Sequence, residues 1–435
     1  MKDEGYFNFR WIIVGVSFVL LALTYGATVY SFSVFFVALL KEFGWNRSIT
    51  GGAFSVFLIL HGVAGPFIGS MVDRFGPRKV FMLGALLLGT GLALCSLIHR
   101  WWEYYIFFSV VTALGVSFLG FVPNATMIQQ CFREKRGYAM GVISSGIGFG
   151  MFICVPLIQY LINQVGWRMT YRIIAVFIPL ITFSMMVAFL RKFPRTIASD
   201  DAKGENTYTF IKDSSIVDKE WASRRWTVRQ AAKTKQFWLL WLALFLSNFT
   251  IYSILTHQVA FFIDQGLSAL IASYIAGIIG IVSIVGKIVW GGLSDKIGRE
   301  VTYLAGTVCS VCGMILLMAF TVVPNTYIPY LYAIFFGLGY AAVTALSPLV
   351  TADFFEGQAY GSIFGVLFMS INLGGACGVW FTGFLYDQMR SYVPAFTILI
   401  ACTLCALVNI CIAAPRKIRM VPGKGRQTRE PPPQG

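Results

Sequence analysis

Twelve runs of apolar residues alternate with short polar segments along this chain, and each run is long enough to cross a lipid bilayer. The hydrocarbon core is about 30 Å thick and a helix rises about 1.5 Å per residue, so a span needs about 20 apolar residues. The runs cover roughly 12–39, 48–72, 79–98, 103–129, 137–162, 169–190, 237–263, 268–293, 301–321, 326–351, 359–385 and 392–413. One long polar stretch, 191–235, carries Ser, Asp, Lys and Thr without apolar periodicity and separates six runs from six. The pattern predicts an all-α membrane protein with twelve transmembrane helices. Residues 1–190 form one six-helix half, 191–235 a linker, 236–413 the second half, and 414–435 a basic tail.

Composition narrows the class. Hydrophobic residues make up 57% of the chain and charged ones 12%, half of the roughly 25% usual in soluble domains. The chain opens Met1-Lys2-Asp3-Glu4 without a short apolar stretch ending in a small-residue cleavage site, so the first run is expected to be a true span. Nearly all nine cysteines lie inside apolar runs. Cys309–Cys312 and Cys402–Cys405 have C-x-x-C spacing, but no His or acid is near them in sequence. No metal and no cofactor is expected.

The net charge of +15 comes from residues in the loops between spans, not from one folded basic face, so nucleic acid is not an expected partner. The distribution instead sets orientation. With the amino terminus in the cytoplasm, 27 of the 34 Lys and Arg residues fall on the cytoplasmic side. Only Lys41, Arg47, Arg100, Arg168, Arg172 and Arg390 face the other way. Both termini are therefore expected in the cytoplasm, with the protein multi-pass in the cell membrane. The basic tail is expected to lie against anionic lipid.

One basic residue escapes that census. Lys287 lies inside the eighth run, while all 19 acidic residues lie in loops, tails or the last turn of a span. It precedes Asp295 by eight residues, about 12 Å along a helix, which puts it near mid-membrane. A lysine there costs about 3 kcal/mol or more unless it faces a watery cavity or a partner. With no buried carboxylate to pair with, the natural partner is an anion that arrives from outside.

Two segments repeat between the halves. Gly69-Ser70-Met71-Val72-Asp73-Arg74-Phe75-Gly76-Pro77-Arg78-Lys79 follows the second span. Gly291-Gly292-Leu293-Ser294-Asp295-Lys296-Ile297-Gly298-Arg299 follows the eighth, 222 residues later. Gly137 and Gly141 match Gly361 and Gly365 at an offset of 224. Nearly constant offsets point to duplication. The first segment resembles the G-x-x-x-D-R-x-G-x-R-R/K loop of the major facilitator superfamily, over a chain that matches its layout from first span to last. Cys131-Phe132-Arg133-Glu134-Lys135-Arg136-Gly137-Tyr138-Ala139-Met140-Gly141 is similar to the signature opening the fifth span of monocarboxylate transporters and oxalate:formate antiporters. Phe43-Gly44-Trp45-Asn46-Arg47-Ser48 resembles their F-G-x-x-R-S turn.

The resemblance implies a secondary transporter working by alternating access, with Asp73, Arg74, Arg78, Asp295 and Arg299 as the gating loop residues. It implies a basic residue at the place of Lys287, usually Arg; here Lys keeps the charge without the planar fork. Ser283 stands where several animal monocarboxylate transporters carry an Asp. Asn372 lies in the eleventh span, where the oxalate:formate antiporters carry a second basic residue. One positive charge suits a monoanion such as lactate or pyruvate. Tyr30, Asn124, Ser283, Tyr340 and Asn372 are expected to line the site with Lys287. His61, His257 and Lys287 are the candidates for carrying a coupled proton. The partners expected are a small organic anion, a proton and the bilayer; protein partners are left open. Anion exchange and export of hydrophobic or aromatic compounds remain open alternatives, and no enzyme motif is present.

Overall fold

The structure, a computed structural model, describes residues 2–131, 136–189, 218, 221, 224, 226–355 and 360–417. Every regular element among them is a helix. α1 comprises Lys2–Thr24, a π-helical turn Tyr25–Tyr30, and Phe32–Phe43. α2 is Arg47–Phe75 and α3 is Pro77–Cys95. α4 comprises Trp101–Tyr104, a π-helical stretch Tyr105–Thr112, Ala113–Leu119 and, past a break at Gly120, Phe121–Cys131. Arg136–Ala188 is interrupted at Gly166 and supplies α5 (136–165) and α6 (167–188). The second half holds α7 Lys235–Asp264, α8 Ala269–Ile297, α9 Arg299–Phe320, α10 Ile328–Phe354, α11 Tyr360–Met389 and α12 Val393–Ala413. Most of the expected linker and tail lies outside the described residues, as do Phe132–Lys135 of the fifth-span signature.

Among the described residues, eleven helical stretches are long and apolar enough to cross a bilayer. One, Ala139–Ala188, has 50 residues and would reach about 75 Å if straight, more than twice a bilayer core. Gly166, at φ 78° and ψ 160°, turns it back. Just past the turn Arg168 meets Glu42 of α1 and the Ile98 carbonyl after α3. The eleven stretches therefore make twelve spans. Loops after α1, α3, α5, α7, α9 and α11 share one end of the bundle, here the far end. The start of α1 and the finish of α12 share the near end.

The duplication is written into the backbone. Gly44 and Gly266, then Gly76 and Gly298, all have positive φ and stand 222 residues apart. Gly166 pairs with Arg390, also at positive φ, at the offset of 224. Each pair marks the same turn in the two halves, where a left-handed residue ends one helix and lets the next begin.

The halves meet along two seams. In the first, α2 lies against α11: Ser55 donates to the Ala376 carbonyl at 2.6 Å, and a Cβ on Gly62 would come within 2.9 Å of the Asn372 side chain. In the second, α5 lies against α8: a Cβ on Gly148 would fall 2.7 Å from the Gly280 carbonyl and 3.1 Å from Ser283 Oγ. Further toward the near end, Gly141, Gly291, Gly361 and Gly365 have nothing within 4 Å of an added Cβ. The seams are shut at the far end, and these near-end glycines have open space beside them.

The glycines of α5 and α11 divide by role. Gly148 does face the other half. Gly146 and Gly150 instead abut Phe18 and Ala22 of α1, and Gly374 and Gly378 abut Phe245 and Phe249 of α7. These four hold each half together, because small residues let helix backbones approach where lipid gives no hydrophobic drive. The same logic applies to Gly26, whose added Cβ would sit 2.6 Å from Gly150 backbone. A Gly26→Val variant is expected to lose about 1–3 kcal/mol of stability, read as a lower unfolding temperature in detergent, while Gly141→Ala stays within about 0.5 kcal/mol of wild type.

Candidate functional site

Lys287 lies one helical turn beyond Ser283, which with Ile284 faces Gly148 across the α5–α8 seam. It is half-buried, and ten residues separate it from the end of α8. Its Nζ lies 5.3 Å from the centroid of the Tyr340 ring in α10, within cation–π range. The Tyr340 hydroxyl is 2.8 Å from that of Tyr30 in α1. A cation of the second half is thus linked through one ring to the first half. Tyr25 and Tyr252 are within electrostatic reach of the same two phenols. The group offers one positive charge, phenolic hydroxyls and aromatic faces, a combination that can hold an anionic head and cover a short apolar body.

Of the side chains expected with Lys287, Tyr30 and Tyr340 join it. Ser283 is buried, donates to Gly280 O at 2.7 Å and faces Gly148, so its hydroxyl serves its own helix and the seam. Asn372 donates to Phe368 O at 3.0 Å. It is the polar group of an otherwise apolar cavity of about 160 Å³ lined by Ile59, Val63, Trp241, Met369 and Leu373.

Asn124 is engaged with the backbone through its amide nitrogen, while its Oδ1 has no hydrogen-bond partner among the described residues. The break at Gly120 frees backbone groups in the middle of α4, and Asn124 Nδ2 donates to Leu119 O at 2.8 Å and Gly120 O at 2.7 Å. On the other side of the break, Phe121 N–H donates to the Tyr25 hydroxyl at 3.2 Å. Unsatisfied backbone in an apolar medium costs several kcal/mol, and these two side chains remove that cost.

The same repair orients His61. Ser117 donates its hydroxyl proton to Ala113 O at 2.7 Å, so its oxygen accepts from His61 Nδ1 at 2.8 Å. His61 Nε2 is then left to accept from Tyr25 O–H at 3.1 Å. Every donor has an acceptor, and the ring carries its proton on Nδ1. His257 has the opposite tautomer. Its Nε2 donates to Val379 O at 3.0 Å, and its Nδ1 accepts from the Tyr392 hydroxyl at 3.1 Å. Burial pushes the Tyr392 phenol up from its ordinary pKa, with Arg47 drawing it partly back, so it remains a protonated donor.

Of the loop residues, Arg299 bridges Asp295 at 2.6 Å and Asp353 at 3.0 Å, tying α8, α9 and α10 together at the near end. Arg74 is exposed, its guanidinium 5.3 Å from the Phe75 ring. Arg78 is half-buried, and its Nε has no hydrogen-bond partner among the described residues. The Asp73 side chain lies outside the described residues.

Sequence reasoning missed the far-end cluster. Arg47 Nη2 reaches both oxygens of Asp264 at 2.9 and 2.7 Å. Asp387 accepts from the backbone N–H groups of Arg47 at 2.9 Å and Ser48 at 2.8 Å. The signal available was scarcity: Glu42, Glu103, Asp264 and Asp387 are the acids of that side, and the last two end the seventh and eleventh runs.

A sequence profile described as Major Facilitator Superfamily matches residues 18–369 and 266–433. The chain is 27% identical to monocarboxylate transporter 12 of Rattus norvegicus, over 89% of this chain and 81% of that one. It is 25% identical to monocarboxylate transporter 13 of the same species, over 89% and 85%. A bacterial homologue of the human lysosomal transporter Spinster, solved inward-facing and unoccupied, superposes with a TM-score of 0.67 at 15% identity. That match covers 94% of this chain and 96% of that one.

Replacing Asn124 by Leu keeps the volume and strands two carbonyls inside the membrane. The variant is expected to lose about 1–3 kcal/mol for each carbonyl left without a donor, measured by thermal or denaturant unfolding of the solubilised protein.

Proposed function

Since the chain belongs to the major facilitator superfamily, and is a multi-pass membrane transporter, we propose that its cargo is a small monocarboxylate, of the size of lactate or pyruvate, carried with a proton by alternating access. The observation that carries this reading is Lys287. It is a half-buried cation deep within a span, and its Nζ rests over the Tyr340 ring. Among the described residues only a ring face holds this ammonium, so it retains donor capacity, and an arriving carboxylate answers it. A single charge matches a monoanion, and the Tyr30 and Tyr340 hydroxyls supply further donors. The names of the two rat relatives agree with this chemistry.

The charge distribution supports a near end in the cytoplasm and a cell-membrane location. The arrangement described is then the one open to the cytoplasm. Binding the anion neutralises Lys287 and lowers the cost of closing the cavity around it, so the halves rock with charge and countercharge together. His61, His257 and Lys287 are the groups we assign to proton coupling, with Arg74, Arg78, Asp295 and Arg299 working with Asp73 in the near-end loops. Exchange of one anion for another would use the same cation without a proton.

The test is uptake of labelled lactate into proteoliposomes, with and without an inward proton gradient. Wild type is expected to show gradient-stimulated uptake, falling at least tenfold in Lys287→Ala, the 1.4 kcal/mol minimum for a lost charge-assisted contact. Lysine-independent uptake at the wild-type rate would overturn the assignment of the site. Uptake that needs an internal anion and ignores the gradient would replace symport by exchange.

A further inference from the structure

The far end is shut by a cluster that the two halves build unequally. By the offsets of the duplication, Glu42 at the end of α1 corresponds to Asp264 at the end of α7, and Arg168 in α6 corresponds to Tyr392 before α12. In the first half Glu42 is taken by Arg168 and by the Trp167 indole of the same half. In the second half a tyrosine stands in place of that arginine, so Asp264 has no cation from its counterpart position. Arg47, from the first half, takes it. The asymmetry turns an ion pair that braces one half into one that fastens the halves to each other.

Arg47 makes three further contacts across the seam. Its guanidinium carbon lies 3.7 Å from the Tyr386 ring centroid. Its Nη1 donates to the Tyr392 hydroxyl. Its backbone N–H, with that of Ser48, is capped by the Asp387 carboxylate. Asn46 makes no side-chain cap at the start of α2, so the amino end of that helix depends on an acid from the other half.

We propose that this cluster is a proton-operated latch, with His257 as the group whose protonation releases it. His257 is fully buried behind Tyr392. The groups facing it are Arg47 from α2, Asp387 and the Val379 carbonyl from α11, Tyr392 ahead of α12, and the uncharged Phe36 ring from α1, 5.1 Å away; Asp264 on its own helix and Tyr386 of α11 lie against Arg47. The latched bonds run one way: Arg47 donates to Tyr392, Tyr392 to Nδ1, and Nε2 to Val379. A second proton on the ring takes away the acceptor that Tyr392 needs. It also sets a positive charge behind Arg47. The latched state therefore binds that proton less tightly than an opened, hydrated one, and by linkage acid favours opening. At the face opposite the near end, acid would then promote the exchange between closed and open that loading requires. The inference rests on alternating access and not on the identity of the substrate.

The test uses the full chain in nanodiscs without substrate, following hydrogen exchange at the Arg47 and Ser48 amides, corrected for intrinsic rates. Between pH 7.5 and 5.5 protection is expected to fall several-fold, bounded by about tenfold per pH unit for a single proton. His257→Gln should hold protection constant over that window, and Asp387→Asn should lose it at both values. Tyr392→Phe separates the ring from Arg47 and should also flatten the slope. Wild-type protection that does not change with pH, or a slope that survives in His257→Gln and Tyr392→Phe, would overturn the proposal. Failure of lactate uptake with the slope intact would count against the substrate alone.

Discussion

In a bilayer, a backbone amide or carbonyl without a partner has no water to turn to, and most of the site follows from that constraint. α1 widens into a π-helical turn at Tyr25–Tyr30, where Ser31 returns both its amide and its hydroxyl to Gly26 O. α4 breaks at Gly120, and Asn124 and Tyr25 satisfy the freed groups on the two sides. Because Tyr25 is committed to the Phe121 amide, its own proton points to His61, and the tautomer of that ring is decided by a helix break in another span. Polar side chains that resemble substrate ligands in a one-dimensional reading are here occupied with keeping helices intact.

The two internal cations illustrate opposite solutions to one electrostatic problem. Arg47 sits between two carboxylates and two aromatic rings, and its charge fastens the halves at the far end. Lys287 has a ring beneath it and is half-buried. Pairing removes the cost of burying the first charge. The second relies on its partly open position, and that position suits it to an anion from outside.

Duplication supplied the frame, and departures from it supplied the far-end contacts between the halves. Turn geometry persists in both halves at three pairs of left-handed residues. Charge does not persist: the acid closing α1 is neutralised within its half, and the one closing α7 reaches across. Two copies of one six-helix unit become able to hold each other only where their side chains differ.

Much of this was legible in the sequence. Span number and the repeat offsets follow from hydropathy and turn residues, which act locally. Lys287 stood out because a charge in an apolar run is costly wherever the chain folds. Tertiary structure decided what linear order cannot encode: that Tyr30 and Tyr340, 310 residues apart, share a hydrogen bond, and that Asn124, Ser283 and Asn372 donate to their own helices. It also decided that Arg47 finds Asp264 and Asp387. The insertion of a helix into lipid depends on its own composition, whereas the partner of a polar side chain depends on which helices the packing of small residues brings within 3 Å, and that is a property of the assembled bundle.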